Sequence, residues 1–261
     1  MTTEKTVLLS SREGVATITF NRPAAMNAIN DRFVQDFAEV LQAIKEDSDV
    51  RAVILTGSGR AFCAGGDLGY LEQLNSIAAA RDFISAAGRL TAAIMDMEKP
   101  FIAMVNGVAA GAGFNLALAC DLIYCAASAR FAQSFARVGL VPDCGGMYLL
   151  PRVVGLHKAK ELMFTADFID ARQALDWGIV NRVVDDEELP ETVAQIAKRL
   201  AAAAPLPLGL IKRTLNGTHH LDADTVLCME ADLQALCMQS EDYREGVAAF
   251  REKRAARFTG Q

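Results

Sequence analysis

The segment at residues 101–120 reads FIAMVNGVAAGAGFNLALAC, and it is the stretch that says most about the fold. Its first five residues, Phe101–Val105, form an apolar run typical of a buried strand. Asn106-Gly107 follows at once, and the small residues at 111–119 predict a short, closely packed helix. Residues 122–125 predict the next strand. This order of strand, glycine-rich loop, helix and strand is typical of a parallel βαβ unit.

The same order occurs upstream of that segment. Residues 51–56 predict a buried strand that ends in Gly57-Ser58-Gly59, and a second glycine-rich loop follows at residues 61–67. A long helical region then extends to Met97. Repetition of this unit predicts an α/β fold whose crossover connections are right-handed.

The two ends of the chain have different patterns. Alternating residues around Glu13-Gly14 predict a β-hairpin, and Asp31 is expected to cap a helix that runs to about Lys45. After Pro151 the strand pattern fades, except at residues 179–184. Helices are expected at residues 156–165, 189–204, 207–216 and 222–239, the last continuing into 242–257. We therefore predict a core over residues 1–195 and a helical region over 196–261 whose apolar faces make the chain oligomeric.

Composition excludes several classes of partner. The chain has 261 residues, 52% of them hydrophobic, and a formal net charge of −6 without a long basic run, so neither nucleic acid nor an anionic membrane is expected to bind. The first ten residues lack the apolar core of a secretory signal, which predicts a cytoplasmic protein. The six cysteines show no metal-ligand spacing, and neither a disulfide nor a metal site is expected.

The two glycine-rich loops predict a site for negative charge. The first contains Phe62-Cys63-Ala64-Gly65-Gly66-Asp67, and the second is Asn106-Gly107 through Gly111-Ala112-Gly113. Each loop follows a strand and precedes a helix, where main-chain N–H groups lack intrahelical partners and carry the positive end of the helix dipole. Two such loops could hold one oxyanion, since small side chains let a ligand oxygen approach the main chain. Tight backbone packing alone is the simpler alternative.

At these residues the chain resembles the enoyl-CoA hydratase/isomerase (crotonase) superfamily, and the resemblance covers nearly the whole sequence. It implies a spiral ββα core, a C-terminal helical trimerisation layer, and a homotrimer or dimer of trimers. It also implies an acyl-CoA thioester as substrate, with coenzyme A as part of that substrate and no separate cofactor. The matching segments are Asn21-Arg22-Pro23, Asn27-Ala28, residues 62–67, 106–121, 131–133, 139–146 and 243–254.

The family's pattern also implies roles for single residues. The oxyanion donors would be the main-chain N–H groups of Gly66 and Ala112. Cys63, Ala64 and Gly65, followed by Leu68, would belong to the substrate-binding surface, with the first three beside the adenine. Lys253 would contact a phosphate of coenzyme A, although a basic residue near a terminus is more commonly on a solvated helix face.

The resemblance points to isomerisation rather than hydration. Hydratases of the family use two glutamates, but Asn115 and Phe135 occupy the matching positions here, and neither can titrate. Asp143 remains, in a motif that looks closest to the ring-1,2-epoxyphenylacetyl-CoA isomerase group of phenylacetate degradation. One carboxylate suffices for an isomerase that moves a proton through a thioester enolate. Phe135 and Met147 are expected to keep the pocket dry and so raise the pKa of Asp143.

Simpler interpretations exist for each acidic or amide residue. Asp143 could be a helix cap or turn residue, Asn115 a hydrogen-bonded core amide, and Asp67 and Asp121 structural. Competing functions are an enoyl-CoA hydratase of the same fold, a non-catalytic acyl-CoA-binding protein, and a hydrolytic dehalogenase with Asp143 as nucleophile. A dinucleotide-binding protein is disfavoured, because the third glycine of that fingerprint is missing after Gly111 and Gly113.

Overall fold

Two sheets organise residues 5–261, the part of the chain that the computed structural model describes. The larger sheet has the strand order β1-β2-β3-β5-β7-β10, and the smaller one β4-β6-β8-β9. In chain order the strands are β1 (Val7–Arg12), β2 (Val15–Phe20), β3 (Ala52–Gly57), β4 (Ala61–Cys63), β5 (Phe101–Val105), β6 (Val108–Ala110), β7 (Leu122–Ala126), β8 (Arg130–Ala132), β9 (Ile169–Asp170) and β10 (Arg182–Val184).

The larger sheet contains the predicted hairpin and is otherwise parallel. β1 and β2 pair antiparallel across Glu13 and Gly14, whose φ angles of 53° and 78° are those of a tight hairpin turn. All the other pairs in this sheet are parallel. Every residue of β3 is buried, as expected for a parallel strand covered on both faces. The hairpin and the parallel α/β core are therefore confirmed.

The smaller sheet is absent from the sequence prediction. Its strands have two or three residues each, too few to show an alternating pattern. β6 lies inside the stretch that the sequence suggested was loop, and it pairs in parallel with both β4 and β8. This pairing sets the two glycine-rich loops side by side.

Eleven α-helices within residues 5–261 surround the sheets. They are α1 (Asp31–Glu46), α2 (Leu68–Leu71), α3 (Ile77–Asp96), α4 (Ala112–Leu118), α5 (Gly146–Val154), α6 (Leu156–Thr165), α7 (Ala171–Asp176), α8 (Leu189–Ala201), α9 (Pro205–Gly217), α10 (Ala223–Cys237) and α11 (Glu241–Glu252). Short 3-10 turns occur at Pro23–Ala25, Ser134–Val138 and Thr218–His220. None of the helices described is long and apolar enough to span a membrane.

Several helix bounds differ from the sequence prediction. The cap of α1 is Asn30 rather than Asp31, because the Asn30 side chain accepts a hydrogen bond from Phe33 N at 3.0 Å. Residue 195 lies inside α8, whose buried face packs on the larger sheet, and the division of the chain into a core and a helical region stays a prediction. α8 ends at Ala201 and α9 begins at Pro205, so both differ by a few residues from the predicted bounds. Similarly, α10 and α11 are separate helices, because Ser240 caps the second one.

Candidate active site

A cavity of about 490 Å³ lies where the two glycine-rich loops meet the turn before α5. It brings together six residues singled out from the sequence, although they come from three separate parts of the chain. These are Ala64, Gly65, Gly66, Leu68, Phe135 and Asp143. Gly111, the residue before Ala112, also lines the cavity.

The two loops touch closely enough to require small residues. A Cβ atom on Gly65 would lie 2.9 Å from the carbonyl oxygen of Ala110 and 3.5 Å from the nitrogen of Ala112. A Cβ on Gly113 would lie 2.2 Å from the carbonyl oxygen of Cys63, well inside contact distance. The glycines therefore serve tight backbone packing, and that packing also brings the Ala112 nitrogen next to the first loop.

Two main-chain N–H groups at this junction have no acceptor within residues 5–261. Hydrogen bonds from Ile29 N to Gly65 O (2.8 Å) and from Asp67 N to Ile29 O (2.9 Å) hold the first loop but leave the Gly66 N–H unused. Ala112 is the first residue of α4, so its N–H has no intrahelical partner and lies at the positive end of the helix dipole. Both N–H groups are thus available to an oxygen of a ligand.

Asp143 lines the cavity but does not cap a helix. Gly145, with φ of 78°, is the residue before α5, and α5 receives no side-chain cap. Asp143 itself is partly buried, and its Oδ1 atom is a buried acceptor without a partner in the described chain. Burial raises the pKa of the Asp143 carboxyl, while a hydrogen bond from the Cys144 thiol opposes this rise. Asp143 is therefore not a helix cap, but its carbonyl oxygen accepts from Gly146 N at 2.9 Å, so the alternative that it is a turn residue is confirmed. A carboxyl with a raised pKa is suited to accept a proton.

The positions that match the family's glutamates carry no acid. Asn115 is fully buried, donates to the carbonyl oxygen of Asp143 at 2.8 Å and accepts from Gln133 Nε2 at 2.7 Å, so it is the hydrogen-bonded core amide that the sequence suggested. Phe135 is buried and lines the cavity. Among the residues that line the cavity, Asp143 is the one carboxylate, and Arg137 is the one cation.

Three residues assigned to the substrate surface lie elsewhere. Met147 is 59% exposed and does not line the cavity, so it does not form the dry wall expected beside Phe135. The Cys63 thiol is buried against the carbonyl oxygen of Asn27 at 3.1 Å, and burial raises its pKa to about 12. Only the main chain of Cys63 can therefore meet a ligand. Lys253 is exposed at the end of α11, outside the cavity.

The other two acids are structural, as the sequence indicated. Asp67 accepts a hydrogen bond from Tyr70 N at 3.3 Å and pairs with the Arg22 guanidinium at 2.9 Å. Asp121 accepts from Phe101 N at 2.7 Å and pairs with the Lys212 ammonium at 2.8 Å.

The sequence reasoning missed the apolar wall of the cavity. That wall comes from α2, the start of α3 and the segment after Phe135. One feature of the sequence could have indicated this wall: Leu71 and Leu74 are three residues apart, a spacing that places two side chains on the same face of a helical turn. The missed residues are Leu71, Leu74, Ala80, Ile84, Val138 and Leu140.

The fold and the paired loops define a crotonase-type protein. The chain belongs to the enoyl-CoA hydratase/isomerase family, whose sequence pattern matches residues 10–261. It is 42% identical over 259 residues to the 1,2-epoxyphenylacetyl-CoA isomerase of Escherichia coli K12, with 98% of each chain covered. It is 39% identical over 253 residues to a crotonyl-CoA hydratase of Syntrophomonas wolfei, with 97% of each chain covered.

A solved structure gives the same assignment. The crystal structure of an enoyl-CoA hydratase from Bacillus anthracis superposes with a TM-score of 0.94 at 32% identity, over 98% of this chain and 100% of the other. The chain is therefore an enzyme of a family that acts on acyl-CoA thioesters. Relatives named as isomerase and as hydratase have similar sequence identity to this chain, so these similarities do not distinguish between the two reactions.

Proposed function

We propose that this enzyme is an acyl-CoA isomerase that shifts a double bond, or rearranges an unsaturated or epoxidised acyl group, with Asp143 as its single acid/base. The observation that carries the proposal is the lone carboxylate of the cavity, whose Oδ1 atom is buried without a partner in the described chain. Hydration needs a base for water and an acid for the adjacent carbon, whereas isomerisation can use one group for both proton transfers.

The chemistry requires stabilisation of a thioester enolate. The Asp143 carboxylate takes a proton from a carbon conjugated with the thioester carbonyl, and the C–H electron pair moves into the conjugated system toward the carbonyl oxygen. The N–H groups of Gly66 and Ala112 donate to that oxygen while it carries the negative charge. Asp143 then returns the proton to another carbon, so the product is an isomer of the substrate.

The acyl group is proposed to be apolar, because most of the cavity wall is aliphatic or aromatic. The 42% identical relative is named as an isomerase of 1,2-epoxyphenylacetyl-CoA, which favours an aromatic-derived acyl group. Coenzyme A enters as part of the substrate and no further cofactor is proposed. Contact between Lys253 and a phosphate of coenzyme A stays a prediction.

The decisive experiment replaces the carboxylate with an isosteric amide. Epoxyphenylacetyl-, 3-enoyl- and 3,5-dienoyl-CoA thioesters are screened for isomerisation, and Asp143→Asn is assayed on the best substrate. We expect turnover to fall by about 10³-fold or more, a size typical of losing an acid/base group, with acyl-CoA binding unchanged. Asp176→Asn, an exposed acid at the end of α7, is the control and keeps full activity. Equal turnover by Asp143→Asn would remove the isomerase proposal.

Hydration is the competing function, and the relative named crotonyl-CoA hydratase favours it. Crotonyl-CoA is therefore assayed in parallel. Rapid hydration by the wild-type enzyme would contradict the proposal, because Asn115 and Phe135 cannot transfer protons to or from water.

We also propose that the chain forms a homotrimer or a dimer of trimers. The support is a groove of about 630 Å³ between α9 and α10, with exposed apolar side chains that include Ile211, Leu215 and Leu227. Light scattering of the purified enzyme tests this assembly, and a monomeric mass would overturn it.

A further inference from the structure

Asn115 contacts the main chain of the residue proposed as the base. Its Nδ2 atom donates to the carbonyl oxygen of Asp143 at 2.8 Å, across 28 positions of sequence. Its Oδ1 atom accepts from Gln133 Nε2 at 2.7 Å, and both amide side chains are 0% exposed. Because Gln133 occupies the oxygen side of the amide, the NH₂ side must point toward Asp143.

The turn that receives this hydrogen bond is under strain. Cys144 has a φ of 45°, which is uncommon for a residue with a side chain, and Gly145 follows with a φ of 78°. The Asp143 carbonyl oxygen also accepts from Gly146 N at 2.9 Å, and the Cys144 carbonyl oxygen accepts from Thr91 Oγ1 at 3.2 Å. A strained turn persists when its surroundings hold it, and these hydrogen bonds do so.

The Asn115 amide is tightly packed against the turn that contains Asp143. A Cβ atom on Gly146 would lie 2.4 Å from Nδ2 and 2.7 Å from Oδ1 of Asn115. Glycine is therefore required at position 146 because Asn115 approaches so closely, and at position 145 because the backbone there has a positive φ. The chain thus fits one amide tightly against the turn that carries Asp143.

We propose that Asn115 is a positioning residue: it fixes the Asp143 turn through the carbonyl oxygen, and so aims the carboxylate at the substrate carbon. This inference rests on the proposed function of Asp143. Asn115 does not line the cavity, so it contributes to the proton-transfer step and not to binding of the acyl-CoA.

The first test is Asn115→Ala, with kcat and the Kd of the acyl-CoA measured separately. A displacement of about 1 Å at a catalytic group costs roughly 10²-fold in rate, so we expect kcat to fall by about that factor. The Kd should stay within about twofold, because interactions lost only in the transition state leave ground-state binding unchanged. Asn216→Ala is the matched control, since it removes a similar amide bond to a main-chain carbonyl, Met95 O at 3.0 Å, away from the cavity. It should retain kcat.

A second variant keeps the inference testable if Asn115→Ala does not fold. Gly146→Ala keeps Asn115, but the added methyl group displaces the Asn115 amide. We expect a smaller fall in kcat, of about tenfold, again without a change in Kd. Gly88→Ala, in α3 with open space around the added methyl group, is its control. If the folded Asn115 or Gly146 variants keep wild-type kcat, the positioning role is overturned even when Asp143→Asn is inactive. An active Asp143→Asn would instead overturn the proposed function itself.

Discussion

Asp121 and Asp143 are two carboxylates that are only partly shielded from solvent, yet their surroundings are opposite. Asp121 accepts from Phe101 N at 2.7 Å and from the Lys212 ammonium at 2.8 Å. Asp143 has no cation beside it, and its Oδ1 atom is without a partner in residues 5–261. The pKa of both carboxyls is raised, with burial as the main cause, but only at Asp121 does a cation, the Lys212 ammonium, oppose part of that rise.

The difference separates a structural from a reactive carboxylate. Lys212, on α9, also donates to the carbonyl oxygens of Ile94 (2.8 Å) and Lys99 (3.1 Å), so its pair with Asp121 joins the C-terminal helices to the core. Asp143 faces the cavity instead, and its raised pKa favours accepting a proton. A group kept ready for reaction in this way lowers the stability of the fold.

Loss of the ion pair between Lys212 and Asp121 should change the stability of the protein the most. Lys212→Met keeps a long apolar side chain but removes the buried ammonium, so the carbonyl oxygens of Ile94 and Lys99 lose their donor and Asp121 loses its cation; this should lower the free energy of unfolding by about 1–3 kcal/mol. Denaturant unfolding at fixed protein concentration measures this loss. Lys198→Met is the control, because its partner Glu13 is exposed, and it should unfold almost as the wild type does. Equal losses in the two variants would contradict the structural role given to Asp121.

The pH dependence of turnover tests whether Asp143 acts as the base. A base works only when it is ionised, so kcat/KM should rise with pH through the raised pKa of Asp143 and then level off. Below that pKa the rate should fall by about tenfold per pH unit. The residual rate of Asp143→Asn should not change with pH across the same range. If the rate of this variant still rises with pH, the titrating group is not Asp143.

The smallest effect concerns stability at Asp143. Its folded-state pKa lies above the ordinary 3.8, so the folded protein holds more protons than the unfolded chain just above pH 3.8, and stability falls as pH rises through that interval. Asp143→Asn removes this penalty. At pH 8 it should therefore unfold at a higher denaturant concentration than the wild type, and the difference should vanish near pH 4. A loss of stability at pH 8 would show that the carboxylate is paired in solution.

Much of the larger sheet was predictable because its strands are long apolar runs bounded by turn residues. Phe101–Val105 and the helix Leu156–Thr165 have the predicted bounds. The smaller sheet was not predictable, since strands of two or three residues have no period and form through pairing with distant segments. The helices α5 and α7 were missed as well, because short helices give few turns from which to recognise a pattern.

The candidate site was partly visible in the sequence. The glycine-rich loops and Asp143 stood out because small residues and a lone acid mark places where the main chain or a charge can act. Asn115 was noticed only because it occupies a position where the family's hydratases have a catalytic glutamate. Its bonds to Asp143 and Gln133 join residues 28 and 18 positions apart, and no local pattern encodes such a contact.

The sequence by itself determined the α/β class, the hairpin, the two glycine-rich loops and which residues can titrate, because these depend on side-chain chemistry and on local period. The tertiary structure decided that the two glycine-rich loops lie side by side, that Asp143 faces a cavity while Asp121 faces a lysine, and that Met147 lies outside the pocket. Burial and pairing come from segments far apart in the chain. They become fixed only when those segments pack together.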